Sequence, residues 1–355
     1  MSSFIADNAC FAPLFEDTQI SRLFSAEKTI EHCLAFEMAL TEALGDHGLV
    51  TKDVAEQALD KMADFSPAAE ALGQGSLADG VPVPEFVRLL KKHVGAELMP
   101  AVHMGATSQD LLDTALVLTL RDVSAILVER MGILAEKILM RYEEFGSKPM
   151  MGRTRMQAAL PIMVADRIYT WLTPLVNHIE DLGPLRTKVE QLQFGGAVGT
   201  RHALGDKAND VAEQIADRFG LENPIKAWHT MRSPVVAYGD FLSQITGSLG
   251  KMGMDICLMA QQGVEEIQLS GSGSSSAMPH KQNPVLAETL VSFARFNAVQ
   301  VSGLHHAMVH EQERSGMAWT LEWMILSLMV ETTGKALLHA DALIDQIETI
   351  GIGNG

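Results

Sequence analysis

The chain has 355 residues, of which 47% are hydrophobic and only 6% aromatic, while methionine occurs 20 times. This composition allows a large core and favours helix–helix packing over sheet stacking. The formal net charge is −17. An acidic surface repels nucleic acid and anionic lipid, so we expect neither nucleic acid nor a membrane as a partner, and an anionic ligand would need a local cationic pocket.

The cysteines and the N-terminus indicate where the protein works. Cys10, Cys33 and Cys257 form no CxxC pair, which is typical of reduced thiols in the cytoplasm. The first residues contain no basic segment followed by an apolar run, so the sequence predicts no signal peptide. The richest apolar stretch, residues 324–330, is too short to span a bilayer. We therefore expect a cytoplasmic protein.

Helical periodicity dominates the chain. The first third predicts a helix over residues 21–48 followed by shorter helical pieces, so we expect a small N-terminal helical domain over residues 1–104. Apolar residues then recur at helical spacing in four long stretches, of which the second should be kinked by two prolines. These stretches are residues 108–148, 161–193, 235–277 and 317–349. Helices of this length cannot bury their faces in a compact monomer, so the sequence predicts an all-α fold with an elongated bundle over residues 105–355, and an oligomer.

The stretch GSGSSSAMPHKQNP, residues 271–284, lies between two predicted helices. Its glycines and serines are typical of a linker, whereas Asn283 followed by Pro284 is typical of a helix start. The serines would then precede a helix N-terminus, which favours anions, and Lys281 adds a positive charge. From the residues alone, this segment is either a linker before a capped helix or an anion-binding loop.

Two further stretches carry polar groups that could meet an anion. In HMGATSQDLLDTA, residues 103–115, Thr107 and Ser108 precede Asp110, a pattern that predicts either an ordinary helix cap or a pair of hydrogen-bond donors. In MGRTRMQAALP, residues 151–161, two arginines flank a threonine, and Pro161 is expected to open a helix. These residues are Arg153, Thr154 and Arg155.

Together the three stretches resemble the signature regions of the fumarase/aspartase superfamily, which includes adenylosuccinate and argininosuccinate lyases. The resemblance implies that Ser275, three places before Met278, is the catalytic acid or base. It also implies that Lys281 and Asn283 hold a substrate carboxylate as negative charge develops on it. Met278 itself is expected to contact the substrate. In the first region, the resemblance implies that Thr107 and Ser108 donate hydrogen bonds to carboxylate oxygens of the substrate. His103 is close enough in sequence to join them, and the alternative is a structural histidine.

The second region departs from the lyases and fumarases, in which a histidine that handles the leaving group's proton follows Gly-Arg-Thr. Arg155 stands there in this chain, and arginine stays charged. Stretches spread over residues 36–323 resemble the 3-carboxy-cis,cis-muconate cycloisomerase family of protocatechuate breakdown, where that position is also not histidine. Enzymes of that family form a lactone by adding a substrate carboxylate across a double bond. In the reverse reaction the carboxylate is expelled, and it leaves as a stable anion because the pKa of the carboxylic acid is about 4. One acid/base group, Ser275, then suffices.

The resemblance implies a substrate with three carboxylates, or a sulfonate analogue, and arginine offers a bidentate donor for such groups. Arg155 is the first candidate, with Arg153, Arg232 and Arg314 beside it; the alternative for each is a solvated surface charge. The Trp228-His229-Thr230 segment either lines the site or packs in the core. Glu311 and Glu322 fall in a matching stretch but have no assigned role.

No GxGxxG or P-loop pattern occurs in the sequence, and the reaction needs no redox cofactor, so we expect the protein to use no cofactor. His305, His306 and His310 with Glu311 resemble a ligand set at helical spacing, but we expect no metal. The resemblance implies a homotetramer with shared active sites. It also implies a further small helical domain at the C-terminus, which we expect to be short or absent in this chain. Two alternatives remain open, an adenylosuccinate- or argininosuccinate-type lyase and a non-catalytic helical scaffold.

Overall fold

A computed structural model of the protein describes residues 8–271, 273–274 and 282–351. Most of these residues are helical, which confirms the predicted all-α class. The helices are α1 Ala12–Phe15, α2 Thr18–Leu23, α3 Ala26–Asp46, α4 Lys52–Met62, α5 Ala69–Asp79, α6 Val83–Val94, α7 Ser108–Phe145, α8 Val164–Val189, α9 Ala208–Phe219, α10 Ser233–Met259, α11 Val285–Ala307 and α12 Gly316–Asp345, with short 3-10 turns at Met99–Ala101 and His202–Lys207. Within the described parts of the chain, no helix is both long enough and apolar enough to cross a membrane.

Five long helices form a bundle in the described parts of the chain: α7, α8, α10 and α12 match the four predicted stretches, although α10 ends at Met259 rather than at residue 277, and α11 is the fifth. α10 packs against α8, α11 and α12, and α7 packs against α8 and α12. With 38 residues, α7 is about 57 Å long. The apolar stripe predicted on α10 is buried along its whole length, which explains why this helix occupies the centre. Its members are Tyr238, Leu242, Ile245, Leu249, Met252, Ile256 and Met259.

The N-terminal helices pack on this bundle through α3, which contacts α4, α7 and α9. The single helix predicted over residues 21–48 is divided, because Ser25 caps a new helix by accepting a hydrogen bond from the Lys28 amide at 3.2 Å. Phe36 of α3 lies edge-on to Phe194, with 6.1 Å between the ring centroids, so the apolar core is continuous with the bundle. The domain boundary at residues 104/105 stays a prediction.

Short strands also occur, all in two-stranded antiparallel sheets. They pair β1 Pro149–Thr154 with β2 Gln157–Met163, β3 Ile267–Leu269 with β6 Ile347–Ile350, and β4 Gly273–Ser274 with β5 Gln282–Asn283. The expectation that Pro161 opens a helix is therefore wrong, because Pro161 lies inside β2. The following helix begins only at Val164, where the Asp166 carboxylate accepts a hydrogen bond from the Met163 amide at 2.9 Å. The last long helix likewise ends earlier than predicted, at Asp345, and β6 follows it.

Candidate active site

Thr107 and Ser108 lie where α7 begins, as the sequence predicted. Thr107 is the N-cap residue, and its backbone amide donates to the Asp110 carboxylate at 3.0 Å. Both Thr107 and Ser108 are half-buried. The helix N-terminus adds partial positive charge at this point, so the two side chains lie where an anion is stabilised.

Arg314 reaches the same point from the loop between α11 and α12. Its Nη1 atom donates to Thr107 Oγ1 at 2.6 Å, although the two residues are 207 positions apart. This is the only hydrogen bond that Arg314 donates within the described ranges. The remaining N–H groups of the guanidinium can therefore serve an anion beside the start of α7. We refer to Thr107, Ser108 and Arg314 as the Thr107 cluster.

Asp110 holds the elements around this cluster together. Its carboxylate is fully buried and accepts hydrogen bonds from the amides of Gly195 and Gly196, each at 2.9 Å, and from His229 Nε2 at 2.8 Å. Burial raises the pKa of Asp110, and the interactions with His229 and the backbone amides oppose that rise. Gly196 has a φ of 69°, and a side chain there would place its Cβ 2.5 Å from the Gly105 carbonyl oxygen. Glycine is therefore required for the loop to approach Asp110.

Arg232 has a different role from the predicted one. Its side chain is completely buried, and Nη1 donates to Asp113 at 2.7 Å while Nε donates to Glu322 at 2.9 Å. The Trp228 ring lies 4.7 Å from the guanidinium carbon. Because two buried carboxylates already hold this guanidinium, the expectation that Arg232 binds substrate is wrong. We call Asp113, Arg232 and Glu322 the ion triad.

Sequence reasoning missed Asp113, gave Asp110 a role only in the helix cap, and left Glu322 without a role. Trp319 Nε1 and Gln193 Nε2 also donate to Asp113, at 3.1 and 3.0 Å. The available signal was position, because both aspartates continue the buried stripe of α7 towards its N-terminus. A carboxylate on a buried helix face requires partners, which predicts a polar network.

His103 is close to this region but is held by the N-terminal helices. Its backbone amide and its Nδ1 atom contact the two carboxylate oxygens of Glu37 on α3, at 2.9 and 2.5 Å. Burial lowers the pKa of His103, but the Glu37 charge and hydrogen bond outweigh it, so the net direction is upward. The His103–Glu37 pair thus fixes the loop that leads into Thr107.

We expect the stability contributed by His103 to fall as the pH rises. A group whose folded-state pKa is raised contributes stability that is complete below its unfolded pKa, about 6.5, and is lost as the pH rises through the folded value. Chemical denaturation of wild type and His103→Gln should therefore show a larger difference in unfolding free energy near pH 6 than near pH 9. The Glu37→Gln variant, which removes the carboxylate that raises the pKa of His103, should likewise differ more from wild type in unfolding free energy near pH 6 than near pH 9. A difference that is constant with pH would contradict the assignment.

The arginines of the second region lie in the β1–β2 hairpin. Arg153 pairs with the buried Glu266 at 3.0 Å. Arg155 and Met156 form the exposed tip, with φ angles of 49° and 67°, a two-residue turn that usually requires glycine or asparagine. In the described parts of the chain, no hydrogen bond or ion pair joins Arg153, Thr154 or Arg155 to the Thr107 cluster. The polar contacts of the described residues therefore do not bring these three residues together with that cluster.

Of the serine-loop residues, Ser275, Met278 and Lys281 lie outside the described residues. Asn283 is described; it is half-buried, lies in β5, and pairs with Gly273 across the β4–β5 ladder. α11 begins at Val285 with Pro284 as its N-cap, one position later than the Asn-Pro pattern predicted. Asn283 is thus placed directly before a long helix. No group of three or more potential metal ligands occurs among the residues that the structure describes.

Comparison with known proteins relates this arrangement to a family. A profile of the family described as lyase matches residues 16–303. The curated relatives include a 3-carboxy-cis,cis-muconate cycloisomerase from Pseudomonas aeruginosa, 35% identical over 96% of this chain and 76% of that protein. The chain belongs to the lyase family that includes these cycloisomerases. The crystal structure of the 3-carboxy-cis,cis-muconate lactonizing enzyme from Pseudomonas putida is 33% identical, with a TM-score of 0.88 over 96% of this chain and 77% of that one.

The relatives of this chain also include enzymes with other activities. An N-acetyl-S-(2-succino)cysteine lyase from Enterococcus italicus is 30% identical over 93% of this chain and 73% of that protein. The predictions of a fumarase/aspartase-type fold and of an enzyme with a small-molecule substrate are confirmed by these matches.

Proposed function

We propose that the enzyme converts 3-carboxy-cis,cis-muconate to carboxymuconolactone in the breakdown of protocatechuate, and that a 3-sulfo analogue is a second candidate substrate. A carboxylate oxygen of the substrate forms a bond to one carbon of a double bond, and the neighbouring carbon takes up a proton. The observation that carries the proposal is Arg155 at the exposed hairpin tip, in the position of the proton-handling histidine of amine- and water-eliminating lyases. Arginine can hold a carboxylate there but cannot protonate a leaving group.

The residues divide into an acid and a set of anion holders. Ser275 is the proton donor in the lactonising direction, and Lys281 and Asn283 hold the carboxylate on which negative charge develops. Thr107 and Ser108 hold a second carboxylate at the start of α7, where Arg314 already donates to Thr107. Since several donors then face one small anion, the site supplies the local positive charge that an acidic chain needs. Met278 contacts the substrate, and His103 fixes the loop that leads to Thr107.

Arg153, Thr154 and Arg155 are assigned to the site of a neighbouring subunit in a homotetramer. The hairpin that carries them exposes apolar side chains, with Met156 at 71% and Leu160 at 72% of full exposure. The long helices also expose apolar residues, including Val299 at 70%. Large exposed apolar groups are typical of surfaces that a partner covers. Analytical ultracentrifugation should find a tetramer, and a monomer at micromolar concentration would exclude shared sites.

The test of the reaction is loss of the diene ultraviolet absorbance when purified protein meets 3-carboxy-cis,cis-muconate. Adenylosuccinate and N-acetyl-S-(2-succino)cysteine serve as parallel substrates, since their cleavage requires a protonated or stabilised leaving group. Rapid loss of the diene with no cleavage of the other two supports the proposal. Cleavage of either alternative without consumption of the diene would replace it with a lyase function.

A further inference from the structure

His310 lies in the loop between α11 and α12, four positions before Arg314, and its imidazole lacks a well-formed hydrogen bond. Both ring nitrogens are buried, and neither has a partner among the described residues. Burial lowers the pKa of His310, and the Ala307 carbonyl acts in the opposite direction without forming a hydrogen bond of proper geometry to the ring. A buried donor without an acceptor is destabilising, and in folded proteins the missing hydrogen-bond partner of such a donor is usually a ligand or a water molecule.

The neighbours of the ring do not provide that acceptor. After burial, the nearby Arg232 charge lowers the pKa of His310, while Asp113 and Glu311 act in the opposite direction. Arg232 and Asp113 are already paired with each other at 2.7 Å. His310 therefore lies beside the ion triad, on the same loop as Arg314, with neither ring nitrogen paired to a described residue.

The loop holds His310 in place from its C-terminal side. Ser315 caps α12 by accepting a hydrogen bond from the Ala318 amide at 3.1 Å, and Arg314 is fixed to Thr107. Between them and His310, Gln312 has a φ of 51°, in the left-handed region that non-glycine residues seldom adopt. Such a conformation persists where the surroundings determine it, and it is frequent at functional sites. The loop thus has a defined shape although the ring nitrogens are unpaired.

We propose that His310 is a further substrate-contacting residue, whose ring N–H donates to a carboxylate oxygen of the bound anion on the Arg314 side. The inference rests on the proposed function. Arg314 contributes charge, and the imidazole contributes a second donor from the same loop. The anion in turn supplies the missing acceptor, which makes a charge-assisted hydrogen bond.

The test combines His310→Leu and His310→Phe, which remove both nitrogens, with His310→Gln, which keeps a donor. Binding of the unreactive probe propane-1,2,3-tricarboxylate is measured by calorimetry, and turnover of 3-carboxy-cis,cis-muconate by its absorbance. Loss of a hydrogen bond to a charged group should raise Kd and KM about 10- to 100-fold in the leucine and phenylalanine variants. Gln should restore part of the affinity. The Tm of the leucine variant should stay unchanged or rise, because unpaired buried polar atoms are removed.

His306→Leu is the matched control, because His306 is exposed on the last turn of α11. It should leave Kd and KM at the wild-type values. If His310→Leu and His310→Phe both keep the wild-type Kd and KM, the inference about His310 fails and the proposed function is unaffected. A lower Tm with unchanged Kd would overturn it in favour of a structural histidine. If wild type neither binds the probe nor consumes the diene, the proposed function fails, and the inference fails with it.

Discussion

Replacement of Ser275 by alanine is expected to lower kcat for 3-carboxy-cis,cis-muconate by roughly 10²- to 10⁴-fold. The proposed reaction has a single proton transfer, to carbon, and no second acid is available at the Arg155 position. Removal of the only proton donor should therefore act on the chemical step and leave substrate binding largely intact. Steady-state kinetics should show the loss in kcat with little change in KM.

Ser274→Ala is the matched control for this experiment, since it removes a neighbouring hydroxyl from the same run of serines. Its effect on kcat should be much smaller. Equal turnover by Ser275→Ala and wild type would retain the reaction class but reject Ser275 as the acid. A similar loss in both variants would indicate that the loop conformation matters and not the particular hydroxyl.

Replacement of Arg232 by methionine is expected to lower the free energy of unfolding by about 3–5 kcal/mol. The guanidinium is completely buried and neutralises Asp113 and Glu322, so its removal leaves two buried carboxylates without an opposite charge. Methionine has a similar length, which limits the contribution of a cavity to the loss. Denaturant titration at fixed protein concentration measures the effect, because assembly couples stability to concentration.

Two further variants separate buried charge from lost packing. Arg186→Met removes an arginine whose side chain is 40% exposed and which pairs with Glu190, so it should cost at most about 1 kcal/mol. Glu322→Gln added to Arg232→Met removes one of the two stranded charges and should restore part of the stability. A small loss in Arg232→Met, comparable with that of Arg186→Met, would contradict the role of the ion triad.

The parts of the fold that could be predicted are those set by local apolar spacing. The α10 stripe from Tyr238 to Met259 was predicted residue by residue, because burial of one helical face repeats every three to four residues. The start of α7 at Ser108 was predicted from the Thr-Ser pattern and the following aspartate. Resemblance to a family then singled out Thr107, Ser108 and Arg314. No spacing rule would have connected Arg314 to the other two residues.

The hairpin and the ion triad show where such reasoning fails. The β1–β2 turn is formed by Arg155 and Met156, neither of which is a usual residue at positive φ, so the turn has no sequence signal. Arg232 follows a polar segment and resembles a free surface arginine in sequence. Its carboxylate partners lie on other helices, and only the packed bundle brings them together.

The separations within the ion triad also have a consequence for how the protein folds. Asp113 and Glu322 lie 119 and 90 positions from Arg232 along the chain. Contacts between such distant segments form late, because the entropy of closing long loops is lost before the contacts compensate for it. The three charges must also shed their water before they pair. We therefore expect early folding intermediates to contain the local helices but not the triad, so that the loops beside it take their final geometry only in the last phase of folding.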